Sequence, residues 1–214
     1  IDNLGFASVE EGIEAAMKVG NIIMWATNLQ PFLMGILVSV FVGIALTLPI
    51  SSAAICAALG LTGLAGGAAV AGCCAQMVGF AVMSFRENKW GGLVSQGIGT
   101  SMLQMGNIVK NPRIWIAPIV TSAITGPIAT CLFKLQMNGT PVSSGMGTCG
   151  FVGQIGVYTG WMNDITAGTK AAVTGWDWAG LLLISFILPA ILCPLINAFL
   201  RKIGWVKDGD MTLA

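Results

Sequence analysis

The sequence contains no histidine, and only 9% of its 214 residues are charged. Soluble domains carry about 25% charged residues, so this chain has too few to cover a soluble core. No Asp, Glu, Lys or Arg occurs between Val19 and Phe85. Further uncharged stretches cover 90–109, 114–133, 135–163 and 178–200. Several of these provide the roughly 20 apolar residues that a membrane span requires. The sequence therefore predicts an all-α integral membrane protein.

The near-neutral charge and the absence of histidine exclude further classes. The net charge is +1 and no basic stripe is present, which argues against nucleic acid as a partner. Without histidine or a C-x-x-C pair, the six cysteines form no recognisable metal site. We expect no cofactor, no bound metal and no disulfide, and we expect all six thiols to be free and buried. These cysteines are Cys56, Cys73, Cys74, Cys131, Cys149 and Cys193.

The stretch SSGMGTCGFVGQIG contains a G-x-G-x-x-G pattern that begins at Gly145. In a dinucleotide-binding loop, a strand precedes this pattern and an acid follows about 20 residues later. Here a turn-like segment precedes it, and Asp164 comes too early and Asp177 too late for that role. We interpret the glycines as a loop that folds tightly at membrane depth and brings its backbone groups to a solute.

Four stretches have the length and composition of full transmembrane helices. They are 31–49, 67–85, 113–133 (with kinks at Pro118 and Pro127) and 178–200. A short, broken half-helix is expected over 51–66. The remaining organisation is an amphipathic leading helix over 1–30, a membrane transport domain over 31–200 and a cytoplasmic tail over 201–214.

Two further segments, 91–112 and 135–163, are too polar and too rich in glycine for lipid-facing helices. Irregular backbone at membrane depth persists only inside protein or against a wet cavity, so we expect two re-entrant hairpins. If 31–49 leaves the cytoplasm and 67–85 returns, only Lys134 and Lys170 lie outside and eight of the ten basic residues lie inside. One hairpin then enters from each side, which in transporters indicates a solute site near the middle of the membrane.

Three blocks of the sequence resemble a known family. They are LPISSAAICAALGLTGLAGGAAVAGCCAQMVGF, MLQMGNIVKNPRIWIAPIVTSAITGPIATCLFK and GMGTCGFVGQIG. They are similar to the membrane-embedded IIC component of the bacterial phosphotransferase system (PTS), in the regulator-like branch of its second IIC-type family. The resemblance covers roughly 30–200. It implies a homodimeric, multi-pass sugar permease of the bacterial cytoplasmic membrane, with soluble IIB and IIA components as candidate partners. It also implies an amino-terminal half before Ile1.

The sequence departs from the glucose-type IIC pattern where phosphotransfer takes place. Such proteins use a histidine and a hairpin glutamate near the sugar, whereas this chain has no histidine and no acid between Arg113 and Asp164. Cys149 lies in membrane surroundings and does not match the reactive cysteine of a IIB component. No general base is evident, so we expect no catalytic residue and no phosphotransfer by this chain alone. The alternative function is a membrane sensor or regulator that keeps the fold.

Polar side chains of the two predicted hairpins are candidate solute ligands. Amides both donate and accept hydrogen bonds, which several sugar hydroxyls require. Gln104 and Asn107 are three residues apart, so they share a face on a helical arm. The predicted ligands are Gln96, Thr100, Gln104, Asn107 and Asn111 in the first hairpin and Ser144, Thr148 and Gln154 in the second. The alternative is that these side chains cap broken helix ends or bond neighbouring carbonyls.

Other polar and aromatic residues have simpler interpretations. Gln76 is expected to make an interhelical hydrogen bond. Lys110 and Arg113 follow the positive-inside rule, and Asp164 lies either at a cavity mouth or in an exposed loop. Six tryptophans near the span ends are expected to form an interfacial belt. They are Trp90, Trp115, Trp161, Trp176, Trp178 and Trp205.

Overall fold

Helices make up 77% of the structure. A computed structural model describes residues 9–213, with side chains from Met17 onward except that of Val19. Within that range there is no strand, and an isolated bridge joins Gly63 to Met137. Residues 1–8 of the predicted leading helix lie outside the described residues. The prediction of an all-α membrane protein is confirmed.

The α-helices follow one another in this order. They are α1 (Val9–Thr27), α2 (Pro31–Thr47), α3 (Ser52–Ala58), α4 (Gly63–Met83), α5 (Phe85–Val94), α6 (Met105–Lys110), α7 (Ile116–Pro127), α8 (Pro141–Ser144), α9 (Val152–Thr166), α10 (Gly175–Leu182) and α11 (Leu188–Lys202). Short 3-10 turns cover Ser101–Gln104, Pro112–Trp115 and Cys149–Phe151. Turns of π-helix cover Ser95–Gly99, Ile128–Leu132 and Leu183–Ile187.

Three helical stretches among the described residues are long and apolar enough to cross a membrane. They are Gly63–Met83, Pro112–Leu132 and Gly175–Lys202. Together with the shorter apolar helix α2, they match the four predicted spans to within four residues at either end. The predicted half-helix between the first two spans is α3, which has only seven residues.

The helix α4 forms the centre of the bundle, and 94% of its membrane-length window is buried. Glycines allow the other helices to approach it closely. A Cβ atom at Gly72 would collide with the carbonyl group of Ser39 in α2, and one at Gly79 would collide with the thiol of Cys193 in α11. Small residues at helix crossings therefore replace the larger side chains of a soluble core, as expected for packing within a membrane.

The contacts between the central helices fix their relative directions. Ser39 of α2 lies against Gly72 of α4, and the Thr47 hydroxyl lies 3.2 Å from Oε1 of Gln76, so α2 and α4 run in the same direction. The prediction that 67–85 returns antiparallel to 31–49 is therefore wrong. Between the end of α2 and the start of α4, the chain runs back through α3 and its flanking turns. This segment is too short to be recognised as a membrane span from its sequence.

The other two central helices run in opposite directions. In α7, Ser122 lies near Gly72 while Trp115 lies near Gln76, so α7 is antiparallel to α4. The continuous helix from α10 to α11 is parallel to α4, because Cys193 lies at Gly79 and Arg201 reaches Glu87 beyond the end of α4. We call the two ends of this bundle the Gly63 end and the Met83 end.

The six cysteines have free thiols. Four are buried in the bundle, whereas Cys149 is partly exposed and Cys131 is exposed. The expectation that all six are buried is therefore wrong for Cys149 and for Cys131, which lies in the π turn that ends the third span.

Candidate functional site

The first predicted hairpin enters and leaves the bundle at the Met83 end. It follows α5, and the Gln96 side chain is anchored near the end of α4 by a 2.9 Å hydrogen bond to the Ser84 hydroxyl. Its deepest described contact is made by Ser101, whose Oγ lies 2.9 Å from the Thr47 hydroxyl beside Gln76. The chain then returns through α6.

The second predicted hairpin enters and leaves at the Gly63 end. The Ser144 hydroxyl donates to the Leu61 carbonyl oxygen at 2.6 Å, close to the start of α4. Further along, the Thr148 hydroxyl contacts the sulfur atom of Met77, near the middle of α4. The chain then returns through α9 to the Gly63 end, where the Asn138 side chain binds Asp164.

Glycines produce the tight reversal at the tip of the second hairpin. Gly147 and Gly150 have positive φ angles of 53° and 52°, a region that favours glycine. A Cβ atom at Gly147 would also meet the backbone of Cys73 in α4. Two of the three glycines in the G-x-G-x-x-G pattern thus have a conformation that favours glycine, as expected for a tightly folded loop.

The tips of the two segments meet beside the middle of α4. The Thr148 hydroxyl donates a 2.6 Å hydrogen bond to the carbonyl oxygen of Gly97, which lies in the π turn of the first segment. Thr148 is fully buried, and the turn Cys149–Phe151 packs against the same π turn. Two irregular segments that begin at opposite ends of the bundle therefore join at one hydrogen bond.

Three of the predicted ligands in the first segment form a row of amides. The Asn107 side chain donates to Oε1 of Gln104 at 2.8 Å, and Gln104 donates to Oε1 of Gln96 at 2.9 Å. Gln104 and Asn107 also donate to the backbone carbonyls of Met211 and Thr212, at 3.0 Å each. The predicted shared face exists, but it binds the backbone of residues 203–213, which we call the C-terminal segment.

The other two predicted ligands of the first segment cap turns. The Thr100 hydroxyl accepts from the backbone N–H of Met102, and Oδ1 of Asn111 accepts from the N–H of Arg113. The Asn111 amide donates to Asp210 in the C-terminal segment at 2.7 Å. These contacts correspond to the capping role that was the alternative to solute binding.

Gln154 of the second segment has one unpartnered atom beside a thiol. Its Nε2 lies 3.3 Å from the sulfur of Cys74, while its buried Oε1 has no hydrogen-bond partner. Ser185 lies near the same thiol from the π turn of the last span, and its buried hydroxyl has no oxygen or nitrogen atom as a hydrogen-bond partner. Buried polar atoms are normally paired, so these two atoms are candidates for binding a solute hydroxyl.

The sequence contained a signal for Ser185 that our prediction did not use. It is the lone hydroxyl residue in the strongly apolar stretch 178–200. A polar residue within such a span usually faces the interior of the bundle, because lipid offers it no hydrogen bond.

Gln76 makes the expected interhelical hydrogen bonds. Its Oε1 accepts from the hydroxyl of Thr47 in α2 and from the indole N–H of Trp115 at the start of the third span. Trp115 therefore contributes to the interior and not to an interfacial belt. Trp161 is also buried, at 2% exposure. The other four tryptophans of the predicted belt are exposed, as that prediction requires.

A polar cavity of about 490 Å³ opens at the Gly63 end. It is bordered by the loop after the third span, by the end of α9 and by the start of α10. One amide nitrogen of Asn138 lies 3.0 and 2.9 Å from the two carboxylate oxygens of Asp164, and Lys170 pairs with Asp177 at 2.6 Å. Asp164 thus lies at a cavity mouth, the first of the two alternatives for this residue.

The apolar spans, with two irregular segments that meet between them, define an all-α membrane protein. Residues 9–213 match the family model for the EIIC component of the phosphotransferase system. The chain belongs to that family and is a sugar-transport membrane component. No curated protein and no solved structure matches the chain.

Proposed function

We propose that the chain is the transport half of an EIIC permease that moves a small polar solute, a sugar, by alternating access. The observation that carries this proposal is the meeting of the two irregular segments at the Thr148–Gly97 hydrogen bond. The first irregular segment belongs to the Met83 end and the second to the Gly63 end. If the tip of one segment moved away from α4, a path for the solute would open toward one end of the bundle only. Paired broken segments of this kind are typical of transporter sites.

The distribution of basic residues supports a cytoplasmic Met83 end. The loops and the C-terminal segment at that end contain Arg86, Lys89, Lys110, Arg113, Arg201, Lys202 and Lys207. Lys134 and Lys170 lie at the Gly63 end. Under the positive-inside rule, the Gly63 end is then external, and both irregular segments are re-entrant hairpins of a multi-pass protein in the bacterial cytoplasmic membrane.

Thr148, Gln154 and Ser185 are the proposed solute contacts in the conformation described here. They surround the middle of α4, and two of them have an unpartnered polar atom. Gln96, Gln104 and Asn107 remain proposed ligands for a second conformation, in which the C-terminal segment has withdrawn from their amides. The contacts of Thr100, Asn111 and Ser144 support a structural role for these three residues.

Phosphorylation of the solute would require a partner. The buried polar residues of the described chain include no carboxylate that could act as a general base near the tips. A soluble IIB component that docks at the Met83 end would have to supply the phosphoryl group, and a homodimer is the proposed assembly.

One observation favours a sensor as the second candidate function. The amide row is bound by the C-terminal segment, and a solute that competed for these amides would release that segment. Solute binding would then become a conformational signal at the Met83 end without net transport.

Uptake of a labelled sugar panel into proteoliposomes containing the full-length protein tests the proposal. We expect saturable uptake that falls by at least about tenfold in Thr148→Val, because this change removes the hydroxyl that joins the tips. The matched control is Thr166→Val, whose exposed hydroxyl bonds only within α9.

The outcomes separate the two candidate functions. Sugar binding without uptake would favour the sensor. Normal uptake by Thr148→Val would show that the tip contact is not part of the transport path, and neither binding nor uptake of any sugar would overturn both candidates.

A further inference from the structure

We propose that the cavity at the Gly63 end is a second solute site, which binds a neutral polyhydroxylated compound before it reaches the hairpin tips. The choice of ligand rests on the proposed function. The site itself rests on five features of the cavity: fixed walls, balanced charge, unused hydrogen-bonding groups, an aromatic floor and distance from the tips.

The walls of the cavity are held in place before any ligand arrives. The Asn138–Asp164 pair joins the loop after the third span to the end of α9. Opposite it, Asp177 completes a capping box with Thr174 at the start of α10 and also binds Lys170. The loop is further tied to α4, because the backbone groups of Gly63 and Met137 form two hydrogen bonds of 3.0 Å. Small-molecule sites are usually preformed in this way.

The charges around the cavity are balanced. Two lysines, Lys134 and Lys170, face two carboxylates, Asp164 and Asp177, so the lining has no net charge. Both carboxylates already have a partner within the protein. With two positive and two negative groups in the lining, neither an anion nor a cation gains a net electrostatic attraction to the cavity. The lining therefore favours a neutral compound.

The unused hydrogen-bonding capacity suits hydroxyl groups. Asp164 accepts from one amide nitrogen, so its oxygens retain lone pairs that can accept from hydroxyls. Lys134 and the exposed amide of Gln136 can donate to hydroxyl oxygens from the same loop. A ligand that both donates and accepts at several positions matches this lining, and sugars have this property.

The floor of the cavity is aromatic, and its size fits a small molecule. Trp161 is 2% exposed, and its ring lies 5.6 Å below the ammonium group of Lys170. Trp178 packs against it with ring centroids 5.4 Å apart. A volume of about 490 Å³ lies within the range of small-molecule pockets, about 300–1,000 Å³. A mono- or disaccharide would fit, and binding would change the environment of Trp161.

The cavity is separate from the hairpin tips. The tips lie beside Met77, 14 residues along α4 from Gly63, which corresponds to about 21 Å of helix. With the Gly63 end external, a solute would meet the cavity first. The cavity would then select the solute and raise its local concentration, while the tips would control its passage.

Binding of neutral saccharides to the full-length protein in detergent tests this inference. Titrations would be followed by calorimetry and by tryptophan fluorescence, with Trp161→Phe identifying the fluorescence signal that belongs to the cavity. We expect Asp164→Asn and Asn138→Ala each to weaken binding by about tenfold or more. Asn163→Ala, an exposed amide beside Asp164, is the matched control and should bind normally.

Folding is checked in the same samples by the thermal midpoint without ligand. Lys170→Gln is the second variant if Asp164→Asn is destabilised, because it changes the opposite wall. Saccharide affinity should not be normal in the cavity variants. If it is normal in both Asp164→Asn and Asn138→Ala, or in Lys170→Gln, the cavity site is overturned and the proposed transport function stays intact. Tighter binding of a charged analogue, or no cavity-dependent binding by any saccharide, would also overturn it. Cavity binding without uptake would overturn the transport function and leave the cavity site intact.

Discussion

At the scale of single residues, glycines and hydroxyl residues determine how closely the helices pack. Gly72 allows the backbone of α2 to pack directly against α4. Gly126 in the same way allows the backbone of α2 to pack directly against α7. Between them, the Ser39 hydroxyl donates to the Ser122 carbonyl oxygen at 2.7 Å. Because neither glycine position has room for a Cβ atom, we expect a substitution at either one to destabilise the protein whether or not a solute is bound.

We expect Gly72→Ala to destabilise the protein strongly. The added methyl group would collide with the Ser39 backbone, which cannot move aside as a flexible side chain would, and overpacking of this kind costs about 1–3 kcal/mol or more. The measurement is the thermal midpoint in detergent.

The control for Gly72→Ala is the same substitution at Gly106 in α6, where a Cβ atom would meet nothing within 4 Å. Gly106→Ala should leave the midpoint unchanged or raise it slightly, because alanine favours helix over glycine. Equal midpoints for the two variants would contradict the close helix crossing.

The sequence allowed residue types to be interpreted, but not their distant partners. The spacing of Gln104 and Asn107 correctly indicated a shared face, since that follows from helix geometry. The carbonyls that these amides bind belong to residues more than 100 positions further along the sequence, and no local sequence pattern predicts such a pairing. The role of Gln76 could be predicted, because a lone amide in a span of small residues has few hydrogen-bond partners other than those on neighbouring helices.

At the scale of elements, the C-terminal segment behaves as part of the bundle. Met211 is fully buried and packs in a cluster with Phe80 and Leu200, while Glu87 accepts from Arg201 and from the N–H of Gly209. The segment thus joins the last span to the first irregular segment through both apolar and polar contacts.

We expect Gln104→Ala to loosen the C-terminal segment. The substitution leaves Oε1 of Gln96 without its donor inside a buried region, which costs about 1–3 kcal/mol. Hydrogen exchange should accelerate over residues 203–213, and the thermal midpoint should fall.

Gln30→Ala serves as the control for Gln104→Ala, because Gln30 is exposed and makes no side-chain cap to α2. Solute affinity would be measured on the same samples. Lowered affinity with unchanged exchange and midpoint would instead assign Gln104 to solute binding in the conformation described here.

The irregular segments were predictable as elements because their glycines and amides exclude a lipid-facing helix. The direction of α2 relative to α4 was not predictable, because the chain returns between these two helices through the seven-residue helix α3 and its flanking turns. Charge counting could not detect the error, since no Lys or Arg lies between α2 and α4 to mark either end.

At the scale of the whole molecule, the parallel arrangement of α2 and α4 changes the expected positions of loops in a membrane. The α1–α2 turn at Asn28 and the loop at Lys134 belong to the Gly63 end, because the Pro31 carbonyl accepts from Thr130 at the end of the third span. Lys89 and Lys110 belong to the Met83 end.

Single cysteines in a background without the native six should therefore label in two groups. Asn28→Cys and Lys134→Cys should react with an impermeant reagent added outside, and Lys89→Cys and Lys110→Cys only with reagent on the cytoplasmic side. Labelling of Lys89→Cys and Lys110→Cys from opposite sides would contradict a re-entrant first hairpin. Labelling of Asn28→Cys from the cytoplasmic side would contradict a parallel α2 and α4.

The common direction of three central helices also gives the molecule an electric polarity. Backbone dipoles leave about half a negative charge at the carboxyl end of each helix. With α2, α4 and α11 ending toward the Met83 end and α7 beginning there, about one elementary negative charge remains uncompensated at that end. The last turn of α11 places Arg201 and Lys202 there, and the last turn of α6 adds Lys110. Their positive charges offset the field of the aligned helices, so the lysines and arginines on which the proposed orientation rests also stabilise the parallel core.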